Sequence, residues 1–165
     1  MDSISVSGTA SAAPTAVSAN SPGLARTLAL PALLALLAAA QSPADLEIRI
    51  EGLRNANGSV LLCLTRNPAH FPACNGDPAS IRRVVPAGQA ASIRLAGVAP
   101  GTWALAVIPD ENGNRRLDRF MGIPREGFGF SRIPRMRMGP PRFEEVRFEA
   151  AGANLRQVVR LTYLL

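Results

Sequence analysis

Residues 46–53 read Leu-Glu-Ile-Arg-Ile-Glu-Gly-Leu, with Leu46, Ile48 and Ile50 at every second position and Glu47, Arg49 and Glu51 between them. Alternation of apolar and charged side chains is the period of a half-buried β-strand, because successive side chains point to opposite faces. Asn55-Ala56-Asn57-Gly58 follows, an Asn-Gly step suited to positive φ, and then the apolar run Ser-Val-Leu-Leu-Cys-Leu-Thr at 59–65. That order predicts a hairpin whose second strand is the more buried. Ile81 to Val85 and Ala91 to Leu95 are short strand candidates on either side of Pro86-Ala87-Gly88. Pro100-Gly101 marks a turn before Trp103 to Ile108, which is apolar at every position and therefore reads as a central strand covered on both faces. Phe143, Val146 and Phe148 fall near a strand period, and residues 155–165 close the chain with a last strand. No sustained 3.6-residue apolar stripe with caps occurs after residue 40. The expected fold is all-β, an antiparallel β-sandwich of about seven strands.

A chain of 165 residues has room for one domain of ordinary size plus a removable leader. Leu28 to Ala40 reads LALPALLALLAAA, apolar except for Pro31, flanked by Arg26 and ending in small residues ahead of Gln41. That length suits the hydrophobic region of a signal peptide and falls short of the roughly 20 residues needed to span a bilayer. The expected organisation is a signal peptide at 1–40 and a single domain at 41–165, without a transmembrane span, in the periplasm or secreted. Residues 1–23 are long for the segment that precedes such a region and carry Asp2, which points to an over-extended N-terminus. All 18 basic residues are Arg and only 12 residues are acidic, giving a net charge of +6. An exported domain without a recognition module is not expected to use that charge on nucleic acid. One His and one Tyr leave few side chains for acid–base catalysis.

Cys63 and Cys74 are the only cysteines, and both fall in the exported part, where thiols oxidise. A disulfide is the natural pairing. Two buried thiols, or half of a metal site with His70, are the alternatives, and zinc would want four ligands. Residues 110–142 break the strand rhythm as one long irregular segment. It opens with Asp110, Asn112, Asn114 and Asp118, oxygen-bearing side chains at positions 1, 3, 5 and 9, with the Arg116 carbonyl at position 7. That spacing can wrap calcium, with an affinity on the order of 10⁻⁴ to 10⁻³ M. Position 6, normally Gly, is Arg115, and position 12, normally Glu, is Met121. The other reading is an Asx-rich turn whose side chains satisfy their own backbone. Downstream, Arg125, Arg132, Arg135 and Arg137 alternate with Phe128, Phe130, Met136 and Met138. Guanidinium groups beside aromatic faces suit an anionic envelope glycan or another envelope protein; the bland alternative is solvated Arg heads over Phe residues packed at the sandwich edge. A small hydrolase acting on envelope glycans through Asp110, Glu111, Asp118 or Glu126 is the catalytic alternative. The expected function is nevertheless non-catalytic: a binding or structural module of the cell envelope.

The run from Pro100 to Ser131, PGTWALAVIPDENGNRRLDRFMGIPREGFGFS, followed by Gly139 to Phe148, GPPRFEEVRF, resembles the exported bacterial domain of unknown function 2141. The resemblance covers nearly all of residues 41–165. It implies a sandwich related to transthyretin-like and carboxypeptidase-regulatory-like domains, and it implies no assigned activity.

Overall fold

The computed structural model describes residues 42–133 and 139–165; the expected signal peptide at 1–40 and Arg135, Met136, Arg137 and Met138 lie outside the described residues. Residues Ala40–Leu165 form one compact unit with its own core. In chain order its strands are β1 (Ala44–Glu51), β2 (Ser59–Thr65), β3 (Ile81–Pro86), β4 (Ser92–Val98) and β5 (Gly101–Asp110). Three two-residue strands follow, β6 (Arg119–Phe120), β7 (Ile123–Pro124) and β8 (Gly129–Phe130). A single helical turn, α1 (Phe143–Val146), precedes β9 (Phe148–Ala150) and β10 (Asn154–Arg160). Among the described residues seven strands are three residues or longer, against the expectation of about seven.

One sheet has the order β10-β1-β4 and the other β3-β2-β5-β8, with β9 also paired to β5. The faces of the two sheets share a core: Leu46, Ile48 and Ile50 of β1 and Val159 of β10 pack with Val60, Leu62 and Leu64 of β2 and with Trp103, Leu105 and Val107 of β5. This is a β-sandwich. Each such side chain contributes about 1.5–3 kcal/mol relative to leaving it in water. The exposed ion pairs Glu47–Arg156 (3.1 Å) and Glu51–Arg160 (3.3 Å) are screened by water and add little, so the core decides the fold.

Three expectations need correction. The predicted hairpin between residues 46–53 and 59–65 does not form: β1 pairs with β4 and β10, and β2 pairs with β3 and β5. Both strands have one strongly apolar face, and placing them in opposite sheets lets those faces meet across the core. Gly58 has φ 65°, and a Cβ there would run into the Asp110 carbonyl, so the Asn-Gly step serves to bring the start of β2 against the end of β5. Second, the sheets are not wholly antiparallel. β1 and β10 run parallel in register from Asp45↔Asn154 to Glu51↔Arg160. β10 arrives from β9 in the other sheet through the three residues 151–153, with Gly152 at φ 91°, so its direction is set by that crossover and not by a hairpin with β1. Third, Phe143 and Val146 lie on α1 and not on a strand. Their three-residue spacing is helical, and the Arg142 N–H donates to Glu145 Oε2 (2.8 Å) at the start of the turn.

A second apolar cluster lies on the other face of β5. Ala104 and Ala106 of that strand meet Phe130, Phe143, Val146 and the disulfide between Cys63 and Cys74. The Cα atoms of the cysteines are 5.7 Å apart across a sequence separation of 11. His70 Nδ1 donates to the Asn75 carbonyl (2.6 Å) inside the same loop, and both cysteines of the alternative metal set are taken up in the disulfide. In the chain-entropy picture, closing so short a loop stabilises the domain by about 2–3 kcal/mol. Residues 41–165 carrying both Cys63→Ala and Cys74→Ala should lose that much in urea unfolding, read as a lower midpoint with a slope no smaller than the parent's, since the unfolded chain is no longer cross-linked.

Candidate functional site

The last residue of β5 is Asp110, and its carboxylate is fully buried. Oδ1 accepts from the Asn114 N–H (3.1 Å) and Oδ2 from the Arg115 N–H (2.8 Å). Asn112 Oδ1 accepts from the Asn114 N–H (3.0 Å), and Asn114 Oδ1 accepts from the Arg116 N–H (2.8 Å). The two side-chain amides then donate to the Asp118 carboxylate, Asn112 at 2.6 Å and Asn114 at 2.9 Å. All four side chains of the expected calcium set are thus brought together, with their oxygens bonded to this loop's own backbone and amides. Arg115, which replaces the expected Gly, sits at φ 61° with its N–H inside that network. Among the described residues, no three His, Cys, Asp or Glu side chains come together so as to hold a metal ion.

Two residues tie the loop to the sandwich, and neither stood out in the sequence as a tie. Glu126 is 4% exposed; its Oε1 accepts from the Glu111 N–H (3.1 Å) and its Oε2 from the Asp118 N–H (3.1 Å). One carboxylate therefore closes the loop at both ends. Burial pushes its pKa above the ordinary Glu value; the two backbone bonds oppose this, and the nearby Asp110 and Asp118 charges reinforce it. Arg54, in the connection between β1 and β2, forms a bidentate pair with Glu111 at 2.7 and 3.0 Å. It also donates to the Arg125 and Leu165 main-chain oxygens (3.1 and 2.9 Å) and lies 4.5 Å from the centre of the Tyr163 ring. That guanidinium holds the Glu111 carboxyl below its usual range. Gly127 makes the packing feasible: a Cβ there would sit 2.6 Å from the Tyr163 ring.

The exposed chemistry is cationic. β2, β3 and β5 turn an apolar row, Leu61, Val84 and Ile108, away from the sandwich core, and Val84 is 55% exposed. A groove of about 370 Å³ lies over this row, between the disulfide loop at Pro72 and Ala73 and the Asx loop at Leu117. Arg82, Arg83, Arg115 and Arg116 line it, and no carboxylate does. None of the four forms an ion pair with a described residue. The anion set expected from the sequence is arranged differently. Arg125 is exposed after β7 and Arg132 is exposed after β8; neither lines the groove, and Arg135 and Arg137 lie outside the described residues. Arg82 and Arg83 escaped notice because only strand register places them beside residues 115–116.

The family model described as "Uncharacterized protein conserved in bacteria (DUF2141)" matches residues 48–157, from within β1 to within β10. No curated protein and no solved structure matches the chain.

The raised Glu126 pKa has a definite sign. Well below pH 4 the group is neutral folded and unfolded; as pH rises from about 4 the unfolded chain ionises first, and stability is lost until the folded pKa is passed. Glu126→Gln should cost about 1–3 kcal/mol, since its amide N–H₂ must face a backbone donor. The variant also lacks the pH-dependent loss, so the gap between its urea midpoint and that of the parent should narrow between pH 4 and pH 7, on the order of the ordinary carboxylate titration.

Proposed function

The chain belongs to the DUF2141 family, and we propose that it acts as an exported, non-catalytic binding module of the cell envelope, periplasmic or secreted, that takes anionic ligands with an apolar body into the arginine-lined groove. One observation carries this reading: Arg82, on the same face of β3 as Val84, lies with Arg83, Arg115 and Arg116 among the residues that line an apolar floor, and no carboxylate does. Such a surface offers forked donors for phosphate or carboxylate and a dry patch for the rest of the ligand. The hydrophobic run at 28–40 and the buried disulfide support export. The described residues include no helix long and apolar enough to cross a membrane.

The hydrolase alternative draws support from Glu126, a carboxyl with a raised pKa beside Asp118. Against it, both Glu126 oxygens accept backbone N–H groups and the side chain is closed off from solvent. A general acid needs a free oxygen within reach of a leaving group, so the clamp reading is the better one. Likewise, the oxygens that a calcium ion would use already accept the Asn114, Arg115 and Arg116 N–H groups.

Calorimetric titration of residues 41–165 with 1-naphthyl phosphate should give saturable, salt-sensitive binding, with inorganic phosphate far weaker for want of the apolar contact. Arg82→Ala and Arg116→Ala should each weaken binding about tenfold, and Val84→Asp should remove it. A uronic-acid oligosaccharide titrated in parallel tests the envelope-glycan form of the reading; if neither compound binds, the groove is not a ligand site. Millimolar calcium against chelator should leave the thermal midpoint unchanged, because only a ligand held by the folded state raises it. An upward shift that Asp110→Ala abolishes would restore the calcium loop.

A further inference from the structure

We propose that the hairpin of β6 and β7 docks the domain on an anionic bilayer surface, setting Phe120, Met121 and Ile123 among the lipid headgroups. Phe120 and Ile123 are directly paired across the two strands, and Met121-Gly122 turns between them with φ 48° and 84°. Their side chains are 58%, 88% and 43% exposed for Phe120, Met121 and Ile123. A Cβ at Gly122 would meet nothing within 4 Å, so the tip stands in open space. Three large apolar side chains together on one exposed turn mark an interaction surface, whereas single exposed ones are ordinary.

The base of this hairpin is fixed. The Arg125 N–H donates to the Asp118 carbonyl (2.9 Å), the Asp118 N–H donates to Glu126, and the Asp118 side chain is held by Asn112 and Asn114. The apolar tip is presented by a preformed support, so little ordering is left to be done on binding. Arg119 and Arg125 flank the tip, Arg115 and Arg116 stand on the loop before it, and all four are exposed. None of them forms an ion pair with a described residue.

Charge and shape select the occupant. A second copy would set this cationic collar against another on a chain of net charge +6. A two-strand tip is too small for the roughly 1,000 Å² of a stable protein interface, and being exposed on all sides it cannot enclose a small molecule. A bilayer with anionic headgroups meets both features: the arginines gain from the negative surface potential, and Phe, Met and Ile gain from the interfacial boundary.

Residues 41–165 should co-sediment with vesicles of phosphatidylglycerol and phosphatidylcholine, and far less with phosphatidylcholine alone. Phe120→Ser with Met121→Ser should reduce retention by about tenfold or more while leaving the thermal midpoint and 1-naphthyl phosphate binding intact, since both side chains are exposed. Arg119→Ala with Arg125→Ala should weaken retention and flatten its salt dependence. Phe120→Trp should show emission shifted to the blue on anionic vesicles and quenching by brominated lipid; Trp103, 3% exposed in the core, gives a constant background. Equal retention of the parent and the double Ser variant, or unshifted emission from the Phe120→Trp variant, overturns the proposal. So does concentration-dependent dimerisation in free solution that the Ser substitutions abolish, which would assign the tip to a second copy.

Discussion

Burial of β5 on both faces is the constraint from which the rest of the structure follows. Trp103, Leu105 and Val107 enter the core between the sheets, while Ala104 and Ala106 lie under the second cluster with Phe130, Phe143 and the disulfide. A strand covered on two sides has no freedom to slip, because a one-residue shift would exchange every inward and outward side chain. Its last residue is Asp110, so the start of the Asx loop is fixed to the same degree. The small side chains on the outer face matter too. Alanines leave room for Phe130 and Phe143 at one end of that face, and the larger Ile108 leaves an apolar floor at the other.

Around that fixed point, the acidic and basic side chains divide the work. Asp110, Asp118 and Glu126 turn inward and bind backbone N–H groups or side-chain amides, and Glu111 is held by Arg54. The remaining guanidinium groups of the loop point to solvent. A domain with this division has a shape set by its carboxylates and a surface potential set by its arginines, and the proposed ligand and lipid contacts use only the second. Arg54 is the exception among the cations. It joins the β1–β2 connection, Glu111, Arg125 and the chain's last residue, and Tyr163 stacks beneath it.

Much of this was legible from period and punctuation alone. The alternation at 46–51, the two-sided apolar run at 103–108 and the oxidised pair Cys63–Cys74 all appear where local pattern placed them. What pattern could not supply was partnership. Alternation says that β1 has one wet face, and says nothing about whether its neighbour is β2 or β10 or which way that neighbour runs. The same gap hid the groove, since Arg82 and Arg116 meet only after β3 is registered on β2 and the Asx loop is folded back. Phe143 and Val146 misled for a different reason: a four-residue helix is too short to show a period, and a backbone cap at Arg142 decided it. In the Asx loop the residue types suit either an ion or a turn, and local pattern does not say which way the two side-chain amides face; both are turned to Asp118.

The parallel pairing of β1 and β10 has a mechanical consequence. The first strand of the sandwich begins at Ala44 and the last ends at Arg160, side by side and pointing the same way over seven paired positions. Tension between the two chain ends would drag these strands past each other lengthwise, so their hydrogen bonds would share the load and give way together. In a terminal hairpin the same pull would open the bonds one after another, each at low force. A body tethered by one end and tugged at the other would thus hold its form until the whole ladder sheared.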